Sequence, residues 1–202
     1  MSLQQLHNQI DECKECFLHK LKTNQTQGVY GKLLTNHKIK NLNKTKLLLI
    51  GMAPSYRRFD TQRRAFEGVS PSNNLKDINT SGDFFYYCLN KSKLKECDIF
   101  ITNIIKCSTE KNEEPSKESV DKCRKLLDLE ISTINPDFII TMGNFVRMNL
   151  NAIKSKKNIH MKHPSYYFRF KSENSVNLAV QELNNIYENT KLNNSKLGEF
   201  LK

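Results

Sequence analysis

A chain of 202 residues with 38% hydrophobic residues, five prolines and seven glycines is long enough to bury a full core and too apolar to be disordered. Its net charge of +11 and pI near 9.3 favour a polyanionic partner, nucleic acid being the simplest, although a coding bias towards Lys and Asn gives the same balance. No run approaches the roughly 18 apolar residues of a membrane helix, and MSLQQLHNQIDE is not a signal peptide, so the expectation is a cytoplasmic protein with no membrane partner.

In chain order, a helix is predicted over Leu3 to Glu12, and the Lys/Asn-rich NHKIKNLNKTK leads into the strand KLLLIG, ending at Gly51. A long polar loop follows, then a helix taking in LKDI and FFYYCLN. DIFITNII is the second strand. EEPSKESV runs into a helix with Ser116 as predicted N-cap, on which Val120, Cys123, Leu127, Ile131 and Ile134 form one inward stripe. NPDFIITMG is the third strand, with Pro136 at its start and Gly143 turning into a helix. A weaker fourth strand near Asn158 to Met161 precedes HPSYYFR, and LAVQELNNIYE closes the chain as a helix. Strand–helix alternation of this kind predicts a three-layer α/β/α sandwich around a four-stranded, mainly parallel sheet. Neither a repeat nor a domain boundary interrupts it: one domain over 1–202 is expected, with 191–202 as a tail that frays.

Six cysteines in a chain read as cytosolic are better explained as ligands or buried thiols than as disulfides. Cys13 and Cys16 form a CxxC, a weak motif alone. Cys107 and Cys123 close a second pair beside a strand end and on a helix. Two such pairs are compatible with a four-thiolate site. Cys88 and Cys97 sit in or beside apolar runs and read as ordinary semi-buried thiols.

Ligands gather at the carboxyl ends of strands in a fold of this class, which brings GMAPS, Asn103, TMGN and HPSYY to one cleft. Taken in order, CxxC, LLLIGMAPS, RRAFEG, ITNIIKC, PSKESVDKC, NPDFIITMGNF and HPSYYFR resemble the uracil-DNA glycosylase superfamily, specifically family 4, its iron–sulfur branch. Members show G-E-A-P-G, G-R-P-F-V-G, I-T-N-x-x-K-C, P-x-x-E-x-x-x-x-C and H-P-S-Y. The resemblance runs from Cys13 to about Arg169. It implies a [4Fe–4S] cluster on Cys13, Cys16, Cys107 and Cys123 with a structural role; zinc is the alternative.

The resemblance also implies roles for single residues. Phe66 matches the aromatic on which a flipped base stacks, its other reading being a core Phe. Asn103 matches the amide that pairs with the base edge, against a strand-end Asn capping a loop. His163 matches the histidine that stabilises charge growing on the pyrimidine O2, against a simple His-Pro turn. The backbone from Gly51 through Met52 and Ala53 to Ser55 is expected to line the pocket. Ser165, Tyr166, Tyr167, Phe168 and Arg169 resemble the segment that contacts and wedges into DNA.

The expected activity is that of a monofunctional DNA glycosylase acting on uracil or a C5-modified pyrimidine. Its setting would be base-excision repair or defence against phage with modified DNA. The expected substrate is single- or double-stranded DNA and the expected state a monomer. The motif departs from the family where its acid is Met52 and its second glycine Ser55, while Ala53 stands where another family carries a water-activating aspartate. The candidates left for that role are Asp60, which is preferred, and Glu67. The competing readings are a non-catalytic, cluster-stapled nucleic-acid-binding module and an RNA-processing factor supported by charge alone.

Overall fold

The computed structural model describes residues 3–21, 32–33, 44–56, 73–150 and 157–199. Helix α1 (Leu3–Glu12) is followed by a short 3-10 turn at Phe17–Leu21. Strand β1 is Lys32–Leu33, β2 Lys46–Gly51, β3 Asp98–Asn103, β4 Phe138–Met142 and β5 Lys157–Met161. Helices α2 (Ser81–Lys91), α3 (Lys117–Ile134), α4 (Asn144–Leu150), α5 (Pro164–Phe168) and α6 (Glu173–Glu199) complete the order.

The sheet runs β1-β3-β2-β4-β5, with β3, β2, β4 and β5 mutually parallel and β1 antiparallel at the edge. The four parallel strands are those expected. The two-residue β1 is an addition that no periodicity could announce. Alternation sets the layers. Leu47 and Leu49 of β2 join Ile99, Ile101 and Ile140 in a core under α2, α5 and α6. Leu48 and Ile50 face the other way, with Ile139, against Val120, Cys123, Leu127 and Ile131 of α3 and Val146 of α4. Side chains of opposite parity leave a strand on opposite faces, so β2 feeds both cores and the molecule has three layers. Among the described residues no helix is long and apolar enough to cross a membrane.

The helix ends follow local chemistry. Ser116 caps α3, its hydroxyl accepting the Ser119 N–H at 3.2 Å, and Asn135 ends it at φ 46° just before Pro136. The single helix expected over LKDI and FFYYCLN is in fact two. Asn74 caps a 3-10 turn at Leu75–Asp77, and Thr80 caps α2 by accepting from the Asp83 N–H at 3.1 Å. Two capping side chains six residues apart divide the segment.

One polar cluster lies inside these layers. Lys106 is 2% exposed, and its ammonium donates to Thr102 Oγ1 at 2.7 Å, to the Asn103 carbonyl at 2.7 Å and to Glu130 Oε2. Thr102 in turn donates to the same Glu130 oxygen at 2.8 Å. All three ammonium protons are thereby used. Removing one partner of such a pair strands a buried charge and typically costs about 3–5 kcal/mol, whereas replacing both with apolar groups is often neutral. Lys106→Met should therefore lower unfolding free energy by about that much, and Lys106→Met with Glu130→Leu should recover most of it. Urea denaturation of the wild type and the two variants decides; a harmless single variant would contradict the geometry.

Candidate active site

The carboxyl ends of β2, β3, β4 and β5 open onto one cleft of about 780 Å³. The loop after β2 supplies Met52, Ala53, Pro54 and Ser55, β3 supplies Asn103, the turn after β4 supplies Gly143, Asn144 and Phe145, and the chain after β5 supplies His163 and Ser165. The loop after β2 is held in place by β3's continuation: the Ile104 N–H donates to the Gly51 carbonyl at 2.8 Å and the Ile105 N–H to the Met52 carbonyl at 2.9 Å. Gly51 itself stands one step behind the lining, its carbonyl spent on that bond.

Asn103 is 2% exposed, and its carboxamide oxygen has no hydrogen-bond partner among the described residues. Leaving a buried acceptor unsatisfied costs about 1–3 kcal/mol, a cost that a bound donor would remove. Its backbone cannot move to compensate, because the Asn103 carbonyl is held by Lys106 Nζ. The amide is a fixed acceptor waiting for a donor.

His163 is oriented from the other side. It caps α5, and its Nδ1 accepts the Ser165 backbone N–H at 3.2 Å while lying 2.7 Å from Ser165 Oγ. A backbone N–H can only donate, so Nδ1 carries no proton and the neutral ring bears its hydrogen on Nε2. Although the side chain keeps some exposure at the cleft wall, burial of the ring pushes its pKa down to about 4. Behind it, Gly143 has φ +90°, and a Cβ there would come within 3.2 Å of His163 Cβ, so both backbone shape and space call for glycine.

The expected site residues are sorted as follows. Met52, Ala53, Ser55, Asn103, His163 and Ser165 line the cleft. Asp60, Phe66 and Glu67 lie outside the described residues. The HPSYYFR segment, expected as a wedge-like loop, is the short helix α5. Tyr167 is only 6% exposed and its hydroxyl donates to Glu182 Oε2 at 3.1 Å, so it belongs to the core rather than to a DNA-contacting surface. Tyr166 is 47% exposed with the Lys162 ammonium 4.4 Å from its ring centre, and Arg169 is also exposed. Sequence reasoning missed Asn79, Thr80, Ser81 and Gly82 at the start of α2, and Asn112 and Glu114 from the loop after β3, all of which line the cleft. Only the polar run STEKNEEP hinted at the last two.

The cysteines divide in two. Cys88 and Cys97 lie in the core under α2 and α6, and burial pushes their thiols up to about 12 and about 11, which makes them inert. Cys13, Cys16, Cys107 and Cys123 line a single small apolar cavity between the N-terminal segment, the end of β3 and α3. Burial raises the Cys123 pKa first of all; the Lys106 charge and its N–H, 3.4 Å from Cys123 Sγ, oppose the rise, and neighbouring Cys13 and Cys16 add to it. Mutual repulsion among thiolates is what a shared cationic centre relieves. Among the described residues no three His, Cys, Asp or Glu converge on one point as a single metal ion requires.

The family model described as the uracil DNA glycosylase superfamily matches residues 37–185. Over 144 residues the chain is 29% identical to the type-4 uracil-DNA glycosylase of Archaeoglobus fulgidus, covering 71% of this chain and 61% of that protein. With the type-4 uracil-DNA glycosylase of Pyrobaculum aerophilum it shares 29% identity over 143 residues, again 71% and 61% of the two chains. With that of Thermotoga maritima it shares 25% over 190 residues, 86% and 87%. The chain thus spans about three fifths of the length of the two archaeal proteins.

The ionisation of His163 is directly measurable. Between about pH 6.5 and 4 the unfolded chain binds a proton that the folded one refuses. The contribution of this histidine to stability is therefore complete above about pH 6.5 and lost as pH falls through about 4. Heteronuclear NMR should show an Nε2–H tautomer that does not titrate between pH 8 and 5; a midpoint near 6.5 would refute the assignment.

Proposed function

The chain belongs to the uracil-DNA glycosylase superfamily, and on that footing we propose that it is a monofunctional DNA glycosylase. It extrudes a pyrimidine nucleotide into the cleft and hydrolyses its N-glycosidic bond to leave an abasic site. The observation that carries the reading is the orphaned, buried carboxamide oxygen of Asn103 in a cleft shared with a neutral Nε2–H imidazole. A pyrimidine supplies the partners each lacks. Uracil offers N3–H to the Asn103 oxygen and O4 to its NH₂, while cytosine offers its exocyclic amine and N3 to the same two groups.

As the glycosidic bond lengthens, the base takes the electron pair and negative charge collects on O2. His163 Nε2–H donates to that oxygen, and a neutral donor can do so without first losing a hydration shell. Among the described residues no lysine lines the cleft, so the amine nucleophile that would cut the strand after base removal is missing from that lining. The same histidine and asparagine speak against a non-catalytic binding module, which needs neither. DNA is the substrate that fits the +11 net charge, and Tyr166 and Arg169, exposed on and just after the short helix whose Ser165 lines the cleft, are the side chains offered to meet it.

Cys13, Cys16, Cys107 and Cys123 would hold a [4Fe–4S] cluster, four thiolates around one small cavity being the donor set such a cluster takes. Its contribution when bound is a covalent staple between the N-terminal segment, the end of β3 and α3. The protein should be brown with broad visible absorbance. Cys107→Ala or Cys123→Ala should bleach and destabilise it, and Cys88→Ala should not. One zinc and no iron in anaerobically purified protein would overturn the cluster.

The target base is uracil or a C5-substituted pyrimidine, a modified cytosine included. Small Ser55 and flexible Met52 on the cleft wall, together with a volume far beyond one base, support the wider range. Repair fits the first target and defence against phage with modified DNA the second. Oligonucleotides carrying single uracil, 5-methylcytosine, 5-hydroxymethyluracil or 5-hydroxymethylcytosine residues, treated with protein and then alkali, test this. Cleavage is expected at uracil and at one or more substituted bases, with Ser55→Tyr removing the latter and sparing uracil. Uracil cleavage alone, unaffected by Ser55→Tyr, would refute the enlarged pocket. No cleavage of any base would refute the glycosylase.

A further inference from the structure

Hydrolysis needs a water as well as a leaving base, and the turn directly after β2 brings no acid: Met52 and Ala53 stand there, while Asp60 and Glu67 further on lie outside the described residues. We propose that Glu114 is the carboxylate that orients the attacking water and takes its proton, an inference that rests on the glycosylase reading above. Among the described residues lining the cleft, Glu114 is the one carboxylate. Asp83, the nearest in sequence to the other polar wall, is buried and takes the Thr80 hydroxyl at 2.7 Å instead.

The segment that presents Glu114 is built rather than slack. Lys111 and Asn112 both adopt left-handed backbone, with φ 48° and 62°. Neither is glycine, and such conformations persist only where their surroundings enforce them. The enforcement is visible: the Glu113 N–H closes onto the Glu110 carbonyl at 2.8 Å, and the Asn112 carboxamide oxygen accepts the Tyr56 backbone N–H at 2.8 Å. That second bond ties the Glu114 loop to the segment directly after β2. On its other side Glu114 is followed by buried Pro115 and the Ser116 cap of α3, so the residue is pinned at both ends.

Placement on the sheet supplies the geometry the reaction wants. Glu114 follows β3 and His163 follows β5, while β2 and β4 lie between these strands. The carboxylate and the imidazole therefore come from opposite ends of the row of strand termini that floors the cleft. In the step itself the C1′–N1 bond breaks with its electron pair going to the base, and the water oxygen bonds to C1′. The water's proton passes to Glu114 and from there to solvent, which returns one to the departed base. Water is the sole co-reactant.

Single-turnover cleavage of the oligonucleotide that the wild-type protein cuts best separates the roles. Glu114→Gln should slow cleavage by about 10²–10⁴-fold without weakening affinity for the uncut oligonucleotide. Glu110→Gln and Glu113→Gln, changes on the same loop outside the cleft lining, should leave the rate alone. Sodium formate, a small carboxylate, should speed Glu114→Ala and not His163→Ala. A wild-type rate for Glu114→Gln beside a slow His163→Ala would overturn the assignment and leave the glycosylase standing. So would a Glu114→Gln defect confined to DNA affinity. A wild-type protein that cuts none of the bases would bring down the glycosylase reading first.

Discussion

The ammonium of Lys106 is the group around which the molecule is arranged. Taking a charge out of water costs several kcal/mol even after relaxation, and only a complete set of partners offsets it. Here those partners are Thr102 on β3, the carbonyl of Asn103 at its end and Glu130 on α3. The backbone N–H of the same lysine points to Cys123 Sγ. One residue thus fixes the end of β3 towards the cleft through its side chain and towards the cysteines through its main chain. Whatever the four thiols hold is separated from the base-reading amide by a three-residue step of rigid chain. Loss of the metal centre would be felt at Asn103 with no need for redox chemistry.

The rest of the cleft is held by similarly local constraints. Parallel strands end together, so four loops meet over their carboxyl ends, and order β3-β2-β4-β5 spaces those loops along a line. Gly143 keeps the β4 turn low enough for His163 to lie against it, and the Ser165 N–H chooses the histidine tautomer. The His163 ring is set by a backbone N–H, and the Asn103 main chain by the buried Lys106 ammonium. Preorganisation of that kind is what lets dipoles act at full strength when charge develops.

The architecture was legible because its signals are periodic. The continuous apolar run of β2, buried on both faces, and the stripe Val120, Cys123, Leu127, Ile131 and Ile134 on α3 mark the residues that the structure buries. Asn103 and His163 were legible because their short motifs interrupt apolar or turn patterns that do not need them. Lys106 and Glu130 were not. A lysine after a strand reads as a solvated stop, although Glu130 stands three residues after Leu127 on the buried stripe and so faces inward. Tyr167 misled because a run of aromatics after His-Pro looks like a loop, whereas Pro164 at the first helical position starts a helix and turns Tyr167 inward. Glu114 was hidden by distance: the partner that places it, Tyr56, lies 56 residues before its tether Asn112.

The charge balance of the cleft has a consequence for how the bond is broken. Among the described lining residues there is one carboxylate and neither lysine nor arginine. In the proposed reaction the donors that these described residues offer the leaving base, from His163 and Asn103, are neutral, and they stabilise its anion as dipoles. The sugar, which becomes cationic, meets the Glu114 carboxylate and the phosphates of its own strand. A cation placed beside the base would help it leave but would also oppose the oxocarbenium ion a few ångströms away, since two unit charges of like sign at 4 Å repel by about 4 kcal/mol at an effective dielectric of about 20. Neutral donors avoid that conflict. Keeping His163 unprotonated, through burial and the Ser165 N–H, is on this account part of the catalysis and not merely a by-product of its turn.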